Sequence, residues 1–358
     1  MKRILIAAGG TGGHIFPGLA IAQALEEQKV EIFWIGDQGS LVRQLVPSQY
    51  HPYFIPITGL RRKKILTWLK APFLIMRAIY QSYRYIRQIK PDLVLTLGGY
   101  VSGPVGIAAK FARVPLVIHE QNSIAGLTNR CLARIATQLL QAFPEAFPKK
   151  LLAKTVGNPV RSVIASISAP EARFNSRISP LRLLVFGGSQ GSHFINEAVI
   201  QAVVRMLPSD RPSLWHQVGK QNEPEVKEKY RQQGIEAKVA AFIENMPEAY
   251  EWADLIVARA GALTVAEIAA AGVGSILIPF SYAVDNHQYY NACFLEKAGA
   301  AVVITELDFD SVRFKELLEQ LAHSREKLLL MAQAARKVAK PQATTEMIEL
   351  LKLTALKS

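Results

Sequence analysis

Short apolar runs alternate along the chain with longer segments in which apolar residues recur every three or four positions. Continuous apolar runs are typical of strands buried on both faces, and the longer spacing is typical of the helices that cover them. The alternation therefore predicts an α/β fold with a parallel sheet. In the first half, strands are predicted at 2–8, 31–35, 93–97 and 116–119, with a helix at 17–28.

The same pattern starts again near the middle of the chain. An apolar strand at 182–186 is followed by a glycine-rich loop and by a helix at 195–206. Because the 358 residues also exceed an ordinary single core, we predict two similar domains. The further strands of the second domain are predicted at 213–217, 238–241, 255–258, 275–279 and 301–304.

The boundary between the domains is predicted from a change in pattern. Residues 168–180 are polar, contain two prolines and lack a clear period, which is typical of a linker. We place the N-terminal domain at residues 1–160 and the C-terminal domain at 161–340. A last helix is predicted near 345–356.

Composition narrows the class of protein, and charge points to a partner. Half of the residues are apolar and a fifth are charged, which excludes a disordered chain. Two cysteines are too few for a disulfide framework, and no window offers about 18 uninterrupted apolar residues, so neither disulfides nor a membrane span are expected.

The positive charge is concentrated in the first half of the chain. Residues 1–158 hold 20 Lys or Arg against 7 Asp or Glu. This asymmetry predicts that the first half meets nucleic acid or an anionic membrane.

A glycine-rich segment at 9–14, GGTGGH, follows the first strand and precedes the first helix. Glycine lets the backbone approach a ligand, and a helix N-terminus offers unpaired amides, so an anion site is favoured over a simple turn. The segment is not a Walker A loop, and Ile15 occupies the third glycine position of the dinucleotide fingerprint. His14 is a candidate general base, because an imidazole changes its protonation near neutral pH. A helix cap is the alternative.

Two segments of the second half suit a nucleotide. The loop 187–191, GGSQG, is chemically similar to the first loop. In the segment 259–267, a glycine follows a strand and a helix begins near Leu263, so the amides of 262–265 would face a diphosphate. Glu267 would accept hydrogen bonds from ribose hydroxyls, unless it merely stabilises the helix start. A polar cluster at 285–288 follows another strand, where open α/β sheets bind ligands.

A basic and apolar stretch separates Asp37 from Asp92, with ten Lys or Arg and no acidic residue between them. Isoleucines at 75, 79, 86 and 89 predict a helix face turned to the core. The segment before them predicts an interfacial anchor on anionic lipid, to which each basic residue contributes about 1 kcal/mol. Nucleic acid would satisfy the charges too, but no nucleic-acid motif is present. The residues of this anchor are Lys63, Lys64, Trp68, Leu69, Lys70 and Phe73.

Six segments, taken in order, resemble the MurG family of bacterial transferases, which add N-acetylglucosamine to an undecaprenyl-linked peptidoglycan precursor. The resemblance implies a GT-B fold, in which two Rossmann-like parallel-sheet domains face each other across a cleft. It further implies that UDP-N-acetylglucosamine binds the C-terminal domain, that the lipid acceptor binds the N-terminal domain, and that residues 341–358 pack back on the latter. The six segments are GGTGGHIFPGLA (9–20), GGYVSGP (98–104), HEQNSIAGLTN (119–129), GNPVR (157–161), GGSQGS (187–192) and GALTVAEIAAAG (261–272).

The resemblance also implies roles for individual residues. On the donor side, Ile243 would contact uracil through its backbone and Glu267 would bind ribose. On the acceptor side, His14 is the candidate base, and the loop from Tyr100 to Gly103, with Ser102, would hold the acceptor diphosphate. The other donor contacts implied are Arg161, Ser189, Ala262, Leu263, Thr264, Val265, Ala266 and Gln288. The other residues implied on the acceptor side are Thr11, Gly12, Gly13 and Asn122.

The implied reaction is an inverting transfer from UDP-N-acetylglucosamine to the 4-hydroxyl of undecaprenyl-pyrophosphoryl-MurNAc-pentapeptide, lipid I to lipid II, at the cytoplasmic face of the bacterial inner membrane. A helix N-terminus at 262–264 can stabilise the departing diphosphate. No Asp-x-Asp metal motif is assigned, so a divalent cation is expected to be at most auxiliary; no cofactor is expected to be required, and no metal ligand is assigned. The expected partners are UDP-N-acetylglucosamine, the undecaprenyl-linked lipid acceptor, an anionic membrane surface and other cell-wall synthesis proteins, without nucleic acid.

Two alternative interpretations stay open. The first keeps the fold and changes the reaction, to a UDP-sugar epimerase or a transferase to another glycolipid. The second is a non-enzymatic module that binds anionic membrane or RNA through residues 61–90. The oligomeric state and the identity of the base are not fixed by the sequence.

Overall fold

The computed structural model describes residues 1–58, 65–175, 180–281 and 286–357, without the side chains of residues 40 and 65–70. The chain divides into two compact units. Unit 1 comprises Met1–Val160 with Lys340–Ser358, and unit 2 comprises Arg161–Ala339. Each unit contains one parallel sheet covered by helices, as the alternating pattern predicts.

Unit 1 has a seven-stranded sheet in the order β3-β2-β1-β4-β5-β6-β7. Its central strands are buried along almost their whole length, because helices cover both faces of a parallel sheet. The strands are β1 (Arg3–Ala7), β2 (Glu31–Asp37), β3 (Pro52–Ile55), β4 (Leu93–Thr96), β5 (Leu116–Glu120), β6 (Gln138–Gln141) and β7 (Lys154–Thr155). The helices are α1 (Gly12–Glu26), α2 (Ser40–Leu45), α3 (Ile65–Ile89), α4 (Gly99–Ala112) and α5 (Leu127–Leu132).

Unit 2 has a six-stranded parallel sheet in the order β10-β9-β8-β11-β12-β13. Its strands are β8 (Arg182–Phe186), β9 (Ser213–Gln217), β10 (Ala237–Ala240), β11 (Leu255–Ala258), β12 (Gly274–Leu277) and β13 (Ala301–Val303). Its helices are α6 (Ser162–Ala165), α7 (Pro170–Asn175), α8 (His193–Val204), α9 (Glu223–Gln232), α10 (Met246–Trp252), α11 (Ala262–Ala271), α12 (His287–Lys297), α13 (Ser311–Ala322) and α14 (Arg325–Val338).

The last helix, α15 (Ala343–Leu356), returns to unit 1 and packs against α1. Met347, Ile348 and Leu351 enter the core of unit 1 together with the residues of β1. Lys154 and Glu346 form an ion pair of 2.9 Å on the surface of this contact. The end of the chain therefore belongs to unit 1 even though unit 2 precedes it.

Strand order brings particular loops together in each unit. In both sheets the order reverses beside the first strand, so β1 lies next to β4 and β8 lies next to β11. Ligands of open α/β sheets bind outside the carboxyl ends of the strands at such a reversal. The loops that follow these four strands are therefore the places to look for a site.

The predicted linker at 168–180 is wrong in its first part. Residues 170–175 form α7, which packs on α14, and Arg173 and Phe174 are buried. The Arg173 guanidinium donates hydrogen bonds to the carbonyls of Ala271 and Gly272 at the end of α11, where a cation also complements the helix dipole. The polar composition suggested a linker because the sequence does not show that Arg173 is buried. Its partners are backbone carbonyls far along the chain.

Helix α3 confirms the predicted inward face. Ile86 and Ile89 are buried, and Ile75 and Ile79 pack against the same core. The opposite face exposes large apolar side chains. Within the described part of the chain, no helix is long and apolar enough to cross a membrane.

Each unit buries one histidine completely, which predicts acid sensitivity. Burial lowers the pKa of His119 to about 4 and that of His216 to about 3. Between these values and about 6.5, the unfolded chain binds protons that the folded chain does not, so the free energy of unfolding should fall with falling pH by roughly 1.4 kcal/mol per unit for each histidine. Urea unfolding between pH 6 and pH 5, inside this window, measures the slope. His216→Gln should halve it, and an unchanged slope would contradict the assignment.

Candidate functional site

The first loop of unit 2 turns back on itself between β8 and α8. Gly188 and Gly191 have φ angles of 94° and 75°, in the left-handed region that favours glycine. A Cβ atom on Gly191 would collide with the carbonyl of Val218, just after β9. Ser192 caps α8 by accepting a hydrogen bond from an amide of its first turn. Ser189, at the tip, is exposed, so its hydroxyl is accessible to a ligand.

The second loop of unit 2 leads from β11 into α11, with Gly261 as the N-cap. Because glycine has no side chain to cap the first turn, the positive end of the helix dipole is directed at the space beyond it. Of the residues predicted to contact the donor here, Val265 is buried. The partly exposed ones are Ala262, Leu263, Thr264 and Ala266.

Glu267 lies further along α11 and is held through both carboxylate oxygens. The Tyr250 hydroxyl donates to Oε2 at 3.0 Å, and the Arg161 guanidinium donates to Oε1 at 3.3 Å. Burial raises the pKa of Glu267, although hydrogen bonds from Arg161 and Tyr250 oppose this. The Glu267 side chain remains 21% exposed, so ligand hydroxyls can reach it. Two predicted donor residues, Arg161 and Glu267, are thus in direct contact.

A largely buried ion pair connects the loops that follow four strands of unit 2. Arg259 Nη2 lies 2.5 Å from Glu306 and donates to the Ser192 hydroxyl at 2.8 Å, while Nη1 donates to two carbonyls after β12. Glu306 also accepts from the Ser281 amide at 3.2 Å. Burial alone would raise the pKa of Glu306, but hydrogen bonds from Ser281 and Arg259 outweigh it and lower the pKa. The pair therefore holds the loops after β8, β11, β12 and β13 together.

Two glutamines complete the unit 2 site. Gln217, the last residue of β9, donates to the Gly188 carbonyl at 2.7 Å and accepts from the Ile243 amide at 3.0 Å. The backbone amide of Ile243, predicted to lie against uracil, is thus engaged within the protein. Gln288 accepts from the Phe280 amide at 3.0 Å, which places it beside the loop that Glu306 holds.

An Asp-x-Asp pattern, a motif of metal-dependent transferases, occurs at Asp308 and Asp310. Both carboxylates serve the local backbone or side chains. Asp310 is the N-cap of α13 and accepts from two first-turn amides at 2.9 Å, and Asp308 accepts from the Thr305 hydroxyl. This pattern is explained by helix capping. Among the described residues, no three His, Cys, Asp or Glu side chains cluster as metal ligands.

In unit 1, the loop 9–13 and the start of α1 place His14 beside α4. Thr11 is the N-cap, and its Oγ1 lies 3.1 Å from His14 Nδ1. Gly98 and Gly99 have φ angles of 90° and 75°, and a Cβ atom on Gly98 would lie 3.3 Å from His14 Nε2. Glycine thus lets the N-terminus of α4 approach the imidazole. When Nδ1–H donates to Thr11, Nε2 keeps the lone pair that a general base needs.

Asp37, the last residue of β2, organises the same loop. Its carboxylate accepts from the amides of Gly10 at 3.0 Å and Gly39 at 3.1 Å, and from the Tyr100 hydroxyl. Burial, together with this carboxylate, raises the pKa of Tyr100 to about 12. A Cβ atom on Gly10 would lie only 2.8 Å from the Tyr100 ring. Two segments predicted separately, 9–14 and 98–103, therefore pack against each other.

Ser102 is placed differently from the prediction of an acceptor loop, whereas Gly103 is partly exposed and its role stays a prediction. Ser102 is fully buried and its hydroxyl donates to the Gly98 carbonyl at 2.7 Å, so this hydroxyl stabilises the first turn of α4 instead of facing a ligand. A Cβ atom on Gly103 would lie 3.6 Å from Thr128 of α5. Gly103 thus contributes to packing between the two helices.

Glu120 shapes the turn that carries Asn122. Its buried carboxylate accepts from the Asn122 amide at 2.9 Å, from the Gly126 amide at 3.0 Å and from Asn129 Nδ2 at 2.8 Å. The same Asn129 Nδ2 would lie 3.3 Å from a Cβ atom on Gly98. The turn therefore reaches the glycine pair beneath His14.

The predicted anchor is only partly visible. Lys63 and Lys64 lie outside the described residues, and Trp68, Leu69 and Lys70 lie in α3, with side chains outside the description. Phe73 is 66% exposed, beside the similarly exposed Met76 and Tyr80. Among the described side chains of the same helix, the exposed basic ones are Arg77, Arg84 and Arg87.

The sequence alone did not single out Asp37, Gln217, Arg259, Glu306 or Tyr250 as site residues. For the first four a signal existed, because each is a polar residue at or just after the end of a buried strand. No such sequence signal marked Tyr250, because it occupies a position that the pattern assigns to the apolar face of a helix.

Comparison with known proteins agrees with this geometry. Models of the glycosyltransferase family 28 N-terminal and C-terminal domains match residues 4–141 and 182–347. A Coxiella burnetii protein named UDP-N-acetylglucosamine--N-acetylmuramyl-(pentapeptide) pyrophosphoryl-undecaprenol N-acetylglucosamine transferase is 50% identical over 97% of both chains. A Haemophilus influenzae protein of the same name is 46% identical over 98% of both chains.

Among solved structures, Acinetobacter baumannii MurG aligns with a TM-score of 0.86 and 35% identity, over 99% of this chain and all of the other. The two parallel-sheet units are thus those of a GT-B fold, and the chain is a hexosyltransferase. It belongs to glycosyltransferase family 28 and, within that family, to the MurG transferases.

Proposed function

We propose that the protein transfers N-acetylglucosamine from UDP-N-acetylglucosamine to the 4-hydroxyl of undecaprenyl-pyrophosphoryl-MurNAc-pentapeptide, the lipid I to lipid II step of peptidoglycan synthesis. The observation that carries the proposal is the cluster in unit 2. There, a glycine loop, a helix start whose N-cap is a glycine and the accessible carboxylate of Glu267 meet at the reversal of strand order.

The donor is assigned to unit 2. The exposed Ser189 and the first turn of α11 would meet the diphosphate, and Glu267 would accept the ribose hydroxyls. Arg161 and Gln288 would contact the donor near these groups. Uracil would lie beside Ile243, whose amide is already bound to Gln217.

The acceptor is assigned to unit 1. Thr11, Gly12 and Gly13 form a helix start without a side-chain capping hydrogen bond, which suits a second diphosphate, and Tyr100 packs against the same loop. His14 Nε2 would take the proton of the attacking hydroxyl as the oxygen bonds to the anomeric carbon. UDP leaves with the bonding electron pair from the opposite face, so an α-linked donor gives a β-linked product.

No metal ion is required in this proposal. The charge that develops on the departing UDP would be stabilised by the helix dipole of α11. Asp310 of the Asp-x-Asp pair caps α13, and Asp308 accepts from the Thr305 hydroxyl.

The proposed location is the cytoplasmic face of the bacterial inner membrane, as a peripheral protein. The exposed face of α3 supports it, because Phe73, Met76 and Tyr80 lie among exposed arginines in the half that carries the positive excess. Phe73→Asp should weaken binding to vesicles with anionic lipid about tenfold, since it removes an apolar contact and adds a repelled charge.

Co-sedimentation with vesicles measures that loss. Leu207→Asp is the matched control, because Leu207 is equally exposed, at 67%, but lies in unit 2. If both variants bind like the unchanged protein, or both lose binding equally, α3 is not the membrane-binding face.

The transfer itself is tested with radiolabelled UDP-N-acetylglucosamine, a lipid-linked acceptor and chelator. The expected result is label in an undecaprenyl-linked disaccharide product, at an undiminished rate in chelator. Isomerisation of the donor without lipid, or label in a different glycolipid, would refute the proposed reaction. If transfer occurs without chelator and is lost when chelator is added, only the independence from metal ions is refuted.

A further inference from the structure

Tyr250 stands behind Glu267 in unit 2 and has no part in the assignments above. It is completely buried in α10, and its ring meets Phe186, the last residue of β8, edge to face with centroids 6.1 Å apart. Arg173 donates to its backbone carbonyl at 3.3 Å. Ring, backbone and hydroxyl are thus each held, and the hydroxyl has a fixed direction toward Glu267 Oε2.

The two donors to the Glu267 carboxylate differ in rigidity. The Arg161 side chain is 48% exposed, and an exposed pair with a long side chain contributes little to a fixed geometry. The Tyr250 hydroxyl is fully buried and rigid, and its hydrogen bond to a carboxylate is charge-assisted. Tyr250 therefore determines the orientation of the carboxylate.

That orientation matters for a vicinal diol. A carboxylate oxygen has two lone pairs, so with one donor each from Tyr250 and Arg161, Oε1 and Oε2 each retain one direction for a ligand hydroxyl. Two neighbouring hydroxyls can bind both oxygens only if the carboxylate plane is held in place.

We infer that Tyr250 is a positioning residue for ribose recognition: it fixes the Glu267 carboxylate so that both hydroxyls of the nucleotide's ribose are bound at once. This inference rests on the proposed binding of ribose by Glu267. It names a residue that contacts no substrate and acts through its neighbour.

The test compares UDP with 2′,3′-dideoxy-UDP by calorimetry. Tyr250→Phe keeps the ring and removes the hydroxyl, and should weaken UDP binding about tenfold while changing the affinity for the dideoxy nucleotide less than twofold. Tyr230→Phe is the matched control. It removes another buried tyrosine hydroxyl of unit 2, which hydrogen-bonds to His216, and should change neither affinity.

Glu267→Ala separates the two levels of the proposal. If this variant still prefers UDP to the dideoxy nucleotide as the unchanged protein does, or if the unchanged protein shows no preference, the assignment of ribose to Glu267 fails and the inference with it. If Glu267→Ala loses the preference but Tyr250→Phe keeps it, or weakens both nucleotides equally, the inference alone fails.

A double variant distinguishes the loss of carboxylate orientation from a general loss of structure. When Glu267 is already alanine, adding Tyr250→Phe should change UDP affinity less than twofold, because the hydroxyl has no carboxylate left to orient. A further tenfold loss in that background would mean that Tyr250 supports the fold and not the carboxylate.

Discussion

Replacing His14 with alanine should lower kcat about 100- to 10,000-fold while leaving the Kd for UDP-N-acetylglucosamine within about twofold. This range is typical of the loss of a positioned general base. The residues assigned to the donor all lie in unit 2, whereas His14 lies in unit 1 against the glycine pair of α4. A loss confined to kcat would therefore separate proton transfer from donor binding.

Two further variants make this test more specific. Thr11→Val removes the hydroxyl 3.1 Å from His14 Nδ1 and should cost less than His14→Ala, because it misaligns the imidazole without removing it. His193→Ala is the matched control, since His193 is an exposed histidine in the first turn of α8, after the glycine loop of unit 2. A kcat of His14→Ala above a tenth of the original value, or an equal loss in His193→Ala, would assign the base to another group.

The sequence predicted the sheets well because their residues carry a local signal. Three strands of unit 2, at 182–186, 213–217 and 255–258, have the predicted bounds, and the first and third of them are apolar runs. Residues buried on both faces of a parallel sheet must be apolar almost without interruption, and the pattern is then unambiguous. Strand β3, which was not predicted, begins with a proline at the edge of its sheet and is only half-buried, and its apolar run, YFI, is only three residues long.

Helix starts were predicted less well, for a reason that bears on the site. Helix α1 begins at Gly12, five residues before the predicted start at Pro17. Glycine has low intrinsic helix propensity, so sequence patterns place it in the preceding loop. In the structure, these glycines form the first turn itself, where their amides and lack of side chains suit an anion.

The site residues that pattern reasoning missed are those whose partners are distant in sequence. Gln217 contacts residues 188 and 243, and Tyr250 contacts Glu267 from a different helix. Such contacts arise from strand order, which a single sequence specifies only through the complete fold. Resemblance to a family supplied the residues assigned to the ligand, and the structure supplied those that hold them.

Arg259 should have the largest effect among the residues that hold the site. Arg259→Met would leave Glu306 charged and largely buried without its partner, which costs about 3–5 kcal/mol in the free energy of unfolding. The same change releases the Ser192 hydroxyl and the carbonyls after β12. Because these groups fix the loops assigned to the donor diphosphate, KM for UDP-N-acetylglucosamine should rise at least about tenfold, by the loss of about 1.4 kcal/mol or more in donor binding.

Arg325→Met provides the comparison that isolates this second effect. Arg325 forms a second ion pair of unit 2 with a buried partner, 2.9 Å from Asp254, whose side chain is 1% exposed. Its removal should destabilise the protein to a similar extent in urea unfolding, yet leave KM within about twofold, since Asp254 accepts from the amide of Arg182 at the amino end of β8, whereas the donor loops follow the carboxyl ends of the strands. Glu306→Gln keeps the shape of the side chain and should fall between the original protein and Arg259→Met in KM. Equal rises of KM in Arg259→Met and Arg325→Met would mean that general stability, and not the connection of four loops by one guanidinium, sets the affinity for the donor.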